Sequence, residues 1–194
     1  RTDLLFKGGT NMSYTFSRRD FMKYTALAAA AVAVSGSLTG CSNPNRPVGT
    51  VGSKLKPGDG ICEATLLSGA SKPTYQSNEL VCHFKIKSFL AGLQVSAGHF
   101  QVDVTGGQHP GSYNVNTYPT GATRATFTLE GGTDATAKND VLPDVALKVT
   151  GIDLTDATNI AVRYCPKHSA DENGKDLYND VYATWNITAT DLGL

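Results

Sequence analysis

From Ile61 to the end of the chain, apolar residues alternate with polar ones. This period of two is typical of β-strands that bury one face. Eight such segments occur, and turn residues such as Gly106-Gly107 and Gly131-Gly132 separate them. One inward-facing residue marks each segment: Ala64, Phe84, Val102, Tyr113, Phe127, Leu147, Val162 and Trp185. No stretch of residues 61–194 has the spacing of an amphipathic helix.

Eight short strands, each with one apolar face, must bury those faces against one another. Two packed sheets or one closed barrel achieve this. Irregular stretches such as Gly131 to Pro143 suit crossovers between sheets. We therefore predict an all-β fold for residues 61–194, an antiparallel, immunoglobulin-like β-sandwich of about eight strands. The pair Asn173-Gly174 predicts a hairpin that sets Val162 opposite Trp185.

The N-terminal part has a different character. Basic residues precede the apolar run Tyr24 to Val34, which is too short to span a membrane, since a span needs about 20 residues. The sequence SRRDFMK at positions 17–23 resembles the twin-arginine export motif S-R-R-x-F-L-K, with Met22 in place of Leu. The matching residues are Ser17, Arg18, Arg19, Phe21 and Lys23. The resemblance implies export of a folded protein from a bacterial cytoplasm.

A second motif follows the apolar run. Leu38, Thr39, Gly40 and Cys41 resemble the lipobox of bacterial lipoprotein precursors at every position. The resemblance implies cleavage before Cys41 and a lipid on its thiol. It predicts a protein of the cell envelope, anchored on the extracytoplasmic face of a membrane.

These motifs give a domain organisation. Residues 1–11 precede Met12 and are predicted to be an untranslated leader, because Lys7-Gly8-Gly9 can be encoded by a ribosome-binding sequence. Residues 12–40 are the predicted signal peptide. Residues 41–60 are rich in Pro, Gly and Ser and predict a flexible tether. Residues 61–194 form the predicted sandwich.

The charge of the exported part limits its partners. The chain has 17 basic and 17 acidic residues, and removing the five basic and two acidic ones before Cys41 leaves 12 and 15. This balance argues against a nucleic-acid partner, which requires a clustered basic surface. It also indicates no polybasic membrane patch, so membrane association is expected to come from the lipid.

With Cys41 carrying the lipid, three cysteines remain in an oxidising compartment. One disulfide and one thiol is the simplest arrangement. If the first two strands form a hairpin centred near residue 72, Cys62 and Cys82 lie opposite each other and form a disulfide. The alternative is a bond between Cys82 and Cys165 across the sheets.

Two metal sites are candidates. Cys165 and His168, on a loop that ends a predicted strand, resemble part of a cupredoxin copper site, which needs one thiolate and two imidazoles. His99 is the best second imidazole. No Met of the exported part can supply the axial ligand, so an oxygen of Glu172 or Asn173 would replace it. Residues 169–180 resemble a calcium loop with Gly174 sixth, although its first and last residues depart from that pattern.

Other signals for chemistry are weak. The histidines lack zinc-ligand spacing, and no G-x-S-x-G motif occurs. Five tyrosines could line a sugar or peptide platform: Tyr75, Tyr113, Tyr118, Tyr178 and Tyr182. We therefore expect a non-enzymatic binding or scaffolding module without a cofactor, contacting a protein or small solute. The alternative is a copper electron-transfer protein that uses Cys165, His168 and His99.

Overall fold

The computed structural model describes residues 46–58, 60–166, 169–170, 176–177 and 182–194, with residues 169–170 and 176–177 described as backbone only. Fifteen strands and one short helix lie in these residues. They are β1 Val48–Thr50, β2 Lys54–Leu55, β3 Cys62–Leu66, β4 Thr74–Gln76, β5 Glu79–Ser88, β6 Leu93–Gln94, β7 Phe100–Gly106, β8 Gly111–Tyr113, β9 Thr126–Gly131, β10 Asp134–Ala135, β11 Val141–Thr150, β12 Ala157–Tyr164, β13 Ser169–Ala170, β14 Asp176–Leu177, β15 Ala183–Ile187 and α1 Ala189–Leu192.

Two sheets make up the domain. The first has the strand order β1-β15-β12-β7-β8, and the second has the order β2-β3-β5-β11-β9 with β4 also paired to β5. Two further pairs, β6 with β10 and β13 with β14, form small ribbons. The parallel pairing of β1 with β15 joins the first strand to the last.

The predicted all-β sandwich is confirmed. The eight predicted strands correspond to β3, β5, β7, β8, β9, β11, β12 and β15. Strand β5 shows the expected alternation, because Leu80, Cys82, Phe84 and Ile86 are fully buried. Val162 lies opposite Trp185, as expected from the proposed hairpin. The immunoglobulin-like connectivity stays a prediction.

Aromatic side chains join the two sheets at the centre of the core. The ring of Phe84, on β5, lies 5.3 Å from that of Phe100 on β7. It also meets Trp185 of β15 edge-on at 5.2 Å. All three residues are fully buried. Such contacts add specific geometry to a large buried apolar area, so they hold the sheets in one orientation.

Residues 41–60 are the predicted flexible tether, but residues 48–50 and 54–55 of it form strands instead. Strands β1 and β2 lie within it and extend the edges of the two sheets. Backbone bonds hold this segment, among them Thr184 N–H to the Pro47 carbonyl at 2.9 Å. Val51 and Leu55 of this segment also pack against the core, so apolar side chains as well as edge pairing attach it to the domain.

The predicted Cys62–Cys82 disulfide is also wrong. Cys62 lies opposite Ser88, and Cys82 lies opposite Leu147. The hairpin turns at Ser77 and Asn78, whose φ angles are 53° and 60°, rather than near residue 72. Residues 67–73 intervene between β3 and β4 and shift the register of β3. No disulfide joins the three cysteines of the described part, so the Cys82–Cys165 alternative does not form either.

No helix in the described residues is long and apolar enough to cross a membrane. Helix α1, at the end of the chain, has four residues.

Candidate functional site

A cluster of three charged side chains and one tyrosine lies on the outer face of the first sheet. We call it the arginine surface and define it as Arg46, Asp103, Arg163 and Tyr182. Asp103 and Arg163 occupy outward positions of β7 and β12, between buried residues of the same strands. The strand alternation that builds the core therefore also places these charges outside.

Asp103 organises the centre of the arginine surface. Its carboxylate accepts hydrogen bonds from the Gln101 amide at 2.7 Å and from the Ser112 hydroxyl at 2.6 Å. Its other oxygen lies 2.6 Å from a terminal nitrogen of Arg163. The Asp103 side chain is only 17% exposed, so solvent screens this ion pair less than a fully exposed one. The contacts hold Arg163 in a defined position.

Tyr182 brings the second arginine into the cluster. The guanidinium carbons of Arg46 and Arg163 lie 5.2 and 4.9 Å from the centre of its ring. Both distances are typical of cation–π contacts. Arg46 and Tyr182 meet because β1 pairs with β15. Two guanidinium groups around one aromatic ring can bind carboxylate groups or stack on a planar ligand.

The structure places two of the three predicted copper ligands side by side. The Cys165 N–H donates to the His99 carbonyl at 2.8 Å, which continues the pairing of β12 with β7. The Cys165 residue is 1% exposed. His168 lies outside the described residues. Across the described ranges, no three His, Cys, Asp or Glu side chains are grouped so that they could hold a metal.

His99 takes part in a turn. The backbone N–H of Ser96 donates to its Nδ1 atom across 3.4 Å, and this contact closes the 3₁₀ turn Ala97–His99 before β7. The His99 ring lies 6.4 Å from that of Tyr164. The predicted calcium loop, residues 169–180, lies outside the described side chains, and the structure gives only the backbone pairing of β13 with β14 there.

A further polar pair lies on the second sheet. Nδ1 of His83 is 2.8 Å from a carboxylate oxygen of Asp144. Asp144 reaches His83 because a bulge interrupts the register of β11 between Leu142 and Val145. The Asp144 side chain is 53% exposed, and an exposed pair of this kind contributes little stability. Pro143 lies within this bulge, and a proline inside a strand is a sequence signal for such an irregularity.

Comparison with known families gives a match near the start of the chain. Residues 15–35 match the family described as TAT (twin-arginine translocation) pathway signal sequence. The chain carries a twin-arginine export signal. The predicted motif residues, from Ser17 to Lys23, lie within the matched segment. No curated protein and no solved structure matches the chain.

The export signal determines where the sandwich works. A twin-arginine signal directs the protein across the membrane, so its location is extracytoplasmic. The lipobox residues Leu38, Thr39, Gly40 and Cys41 lie beyond the matched segment and outside the described residues. Lipidation of Cys41 therefore stays a prediction.

Of the predicted platform tyrosines, Tyr75 and Tyr113 are taken up by internal contacts, whereas Tyr118 is exposed. The Tyr75 hydroxyl accepts from Leu154 N–H and donates to the Ile152 carbonyl, both at 3.1 Å. The Tyr113 hydroxyl donates to the His109 carbonyl, and burial, assisted by Asp153, raises the pKa of this phenol. Tyr178 lies outside the described residues. Tyr182 is the member of the set that joins the arginine surface.

Proposed function

We propose that the chain is a lipid-anchored, non-enzymatic binding module of the bacterial envelope. It contacts an acidic protein segment or a small anionic solute through the arginine surface. The export signal supports the location, and the lipobox resemblance at Leu38 to Cys41 supports the anchor. Because the described domain begins at Arg46, the anchor and the sandwich are close in sequence.

The observation that carries the binding role is the arrangement around Tyr182. Arg163 contacts both the Asp103 carboxylate and the Tyr182 ring. A guanidinium that is already positioned loses less conformational entropy when a ligand binds. The arrangement therefore favours recognition of a carboxylate or phosphate group at this face.

The anchor is tested by fractionation of cells that produce the full chain or its Cys41→Ser variant. We expect the wild-type chain in the membrane fraction, with a mass that includes a lipid. We expect the variant to lose this lipid mass. A wild-type chain without lipid would contradict the anchor, whatever its location.

The binding role is tested by crosslinking in intact cells. A photoreactive residue at Ala161, which lies opposite Asp103 on the neighbouring strand, captures the neighbouring molecule. We expect the Arg163→Gln variant to lose the crosslinked product and Arg124→Gln to retain it, since Arg124 contacts the Val115 carbonyl elsewhere. Thermal unfolding of both variants verifies that they are folded. Equal crosslinking in the two variants would contradict the proposal.

Copper electron transfer is the second candidate, because Cys165 and His99 are neighbours in the extended register of β12 and β7. The thiolate of Cys165 and the imidazoles of His99 and His168 would bind the ion. The test adds Cu(II) to the purified chain. Thiolate-to-copper absorption in the visible range that disappears in Cys165→Ala would support this role. Its absence from the wild-type chain would contradict it.

A further inference from the structure

Four lysines gather on the outer face of the second sheet although the exported part is acidic overall. We call this patch the lysine face: Lys54, Lys56, Lys85 and Lys87. Cross-strand register creates it, because Lys54 and Lys85 both lie opposite Thr65, on either side of β3. The sequence does not reveal it, because the lysines come from two separate segments.

The lysine face borders a shallow cleft of about 240 Å³, lined by Lys54, Glu63, Thr65, Lys85, Lys87 and Val141. Glu63 is the carboxylate within the cleft and lies 3.5 Å from Lys54. Among the ion pairs between described residues, none involves Lys56, Lys85 or Lys87. The patch therefore has an excess of positive charge that is open to solvent.

An apolar tip adjoins the lysine face. It consists of Phe89 and Leu90, in the loop that follows β5. The Phe89 ring lies 5.2 Å from the Lys56 ammonium and 5.8 Å from that of Lys87. Leu90 is 47% exposed, and Val141, which lines the cleft, is 44% exposed.

Hydrogen bonds of the buried Ser88 hydroxyl fix the loop that carries the apolar tip. Ser88 is fully buried, and its hydroxyl donates to the Leu90 carbonyl at 2.5 Å and accepts from the Leu90 N–H at 3.1 Å. Gly92, at φ 75°, allows the chain to turn back. The exposed Leu90 is thus presented by a preformed turn.

The described chain enters the sandwich at the end that carries the apolar tip, where Lys56 lies against Phe89. Val48 pairs with Thr184, near the start of β15, and the turn over residues 51–53 reverses the chain through the Ser53 N–H bond to the Thr50 carbonyl. Strand β2 therefore runs back, and it brings Lys56 toward the end where Arg46 lies. Cys41 precedes Arg46 by five residues, which span at most about 17 Å when extended.

We propose that the lysine face and the apolar tip dock onto the anionic phospholipid surface of the membrane. Lysines attract anionic headgroups, and exposed apolar side chains beside them enter the interface between headgroups and acyl chains. The short distance from Cys41 to Arg46 keeps this end of the sandwich near the bilayer. The inference rests on the proposed lipid anchor for its location. Docking orients the domain and leaves the first sheet available to a partner.

Vesicle sedimentation tests docking separately from the anchor, because it uses the full chain with Cys41→Ser, which carries no lipid. The probes are vesicles of phosphatidylglycerol with phosphatidylcholine and vesicles of phosphatidylcholine alone. We expect binding to the anionic vesicles that weakens with added salt. Lys85→Glu is expected to weaken it about fivefold or more, and Leu90→Ser to weaken it as well.

The matched control is Lys72→Glu, an equal change of charge at an exposed position outside the lysine face. It should retain the binding of the Cys41→Ser chain. Since all variants share the signal segment, its own affinity for vesicles cancels in the comparison. Thermal unfolding verifies that each variant is folded. Equal binding by the Lys85→Glu variant and the Lys72→Glu variant would overturn docking without bearing on lipidation of Cys41.

Discussion

The indole N–H of Trp185 donates to the backbone carbonyl of Ser53 at 2.8 Å, across 132 positions of sequence. Trp185 is fully buried, and its ring meets Phe84 of the opposite sheet. The bond connects the turn between β1 and β2 to the centre of the core. Together with the pairing of β1 with β15, it attaches a proline-containing stretch to the folded domain.

We predict that Trp185→Phe destabilises the domain by about 1–3 kcal/mol. The variant keeps an aromatic ring but leaves the Ser53 carbonyl without its donor and the site underfilled. Urea denaturation gives the change in free energy of unfolding. The control is Leu90→Ala at an exposed position, expected within about 0.5 kcal/mol of the wild-type chain. A Trp185→Phe variant as stable as this control would contradict the role of the bond.

The strands that were predicted and those that were missed differ in how they are stabilised. Strand β5 could be predicted because its burial alternates residue by residue. Strands β1 and β2 have two or three residues, which are too few for an alternation to show in the residue pattern. The prediction that Cys62 lies opposite Cys82 is wrong because the register of β3 with β5 depends on the length of the segment 67–73. The alternation of apolar residues does not encode that length.

The same distinction applies to the sites. The outward positions of Asp103 and Arg163 follow from the strand pattern, but their contact requires the register of β7 with β12. The residue type makes Tyr182 a candidate for ligand binding, but nothing in the sequence pairs it with Arg46 and Arg163. The lysine face depends on pairing between strands that are distant in sequence, so the overall charge concealed it.

The Cys82 thiol is predicted to be unreactive in the folded protein. Cys82 is fully buried, and burial raises the pKa of its thiol well above its ordinary value of 9.0. The reactive thiolate is therefore scarce, and the sulfur is inaccessible. Iodoacetamide at pH 8, followed by peptide mapping, should leave Cys82 unmodified in the native chain and modify it in urea. Rapid native alkylation, or a peptide linked to Cys62, would contradict this prediction.

The raised pKa of Cys82 also predicts a pH dependence. Above about pH 9 the unfolded chain loses this proton while the folded chain keeps it, so the Cys82 contribution to stability falls as the pH rises. Comparison of Cys82→Ala with the wild-type chain isolates the effect. The variant is less stable at neutral pH because of its cavity, and the difference in melting temperature should narrow between pH 8 and pH 10. An unchanged difference would contradict the prediction.

The lowered pKa of Asp153 predicts that stability falls as the pH is lowered into the acid range. The Thr155 N–H donates to its carboxylate at 2.9 Å, and contacts with Thr155, assisted by the charge of His109, lower the pKa of Asp153 below its ordinary 3.8. The contribution of Asp153 to the stability of the fold is fully present above pH 3.8. It is lost as the pH falls through the lower pKa of the folded state. Asp153→Asn should therefore lower the melting temperature at pH 6 by more than at pH 2.5. Asp134→Asn, at an exposed position, is the control. Its effect on the melting temperature should be about the same at pH 6 and at pH 2.5.

Gly131 is predicted to be irreplaceable by alanine, while its neighbour Gly132 is not. Gly131 has φ 93°, and an added Cβ would lie 2.3 Å from the carbonyl oxygen of Asp144, at the β11 bulge. The strained backbone and the clash together should destabilise Gly131→Ala by at least about 2 kcal/mol. At Gly132 no described atom lies within 4 Å of the added carbon, so Gly132→Ala should stay within about 0.5 kcal/mol of wild type. Urea denaturation of both variants distinguishes them, and equal stability would show that the β9–β11 edge can shift to accept the methyl group.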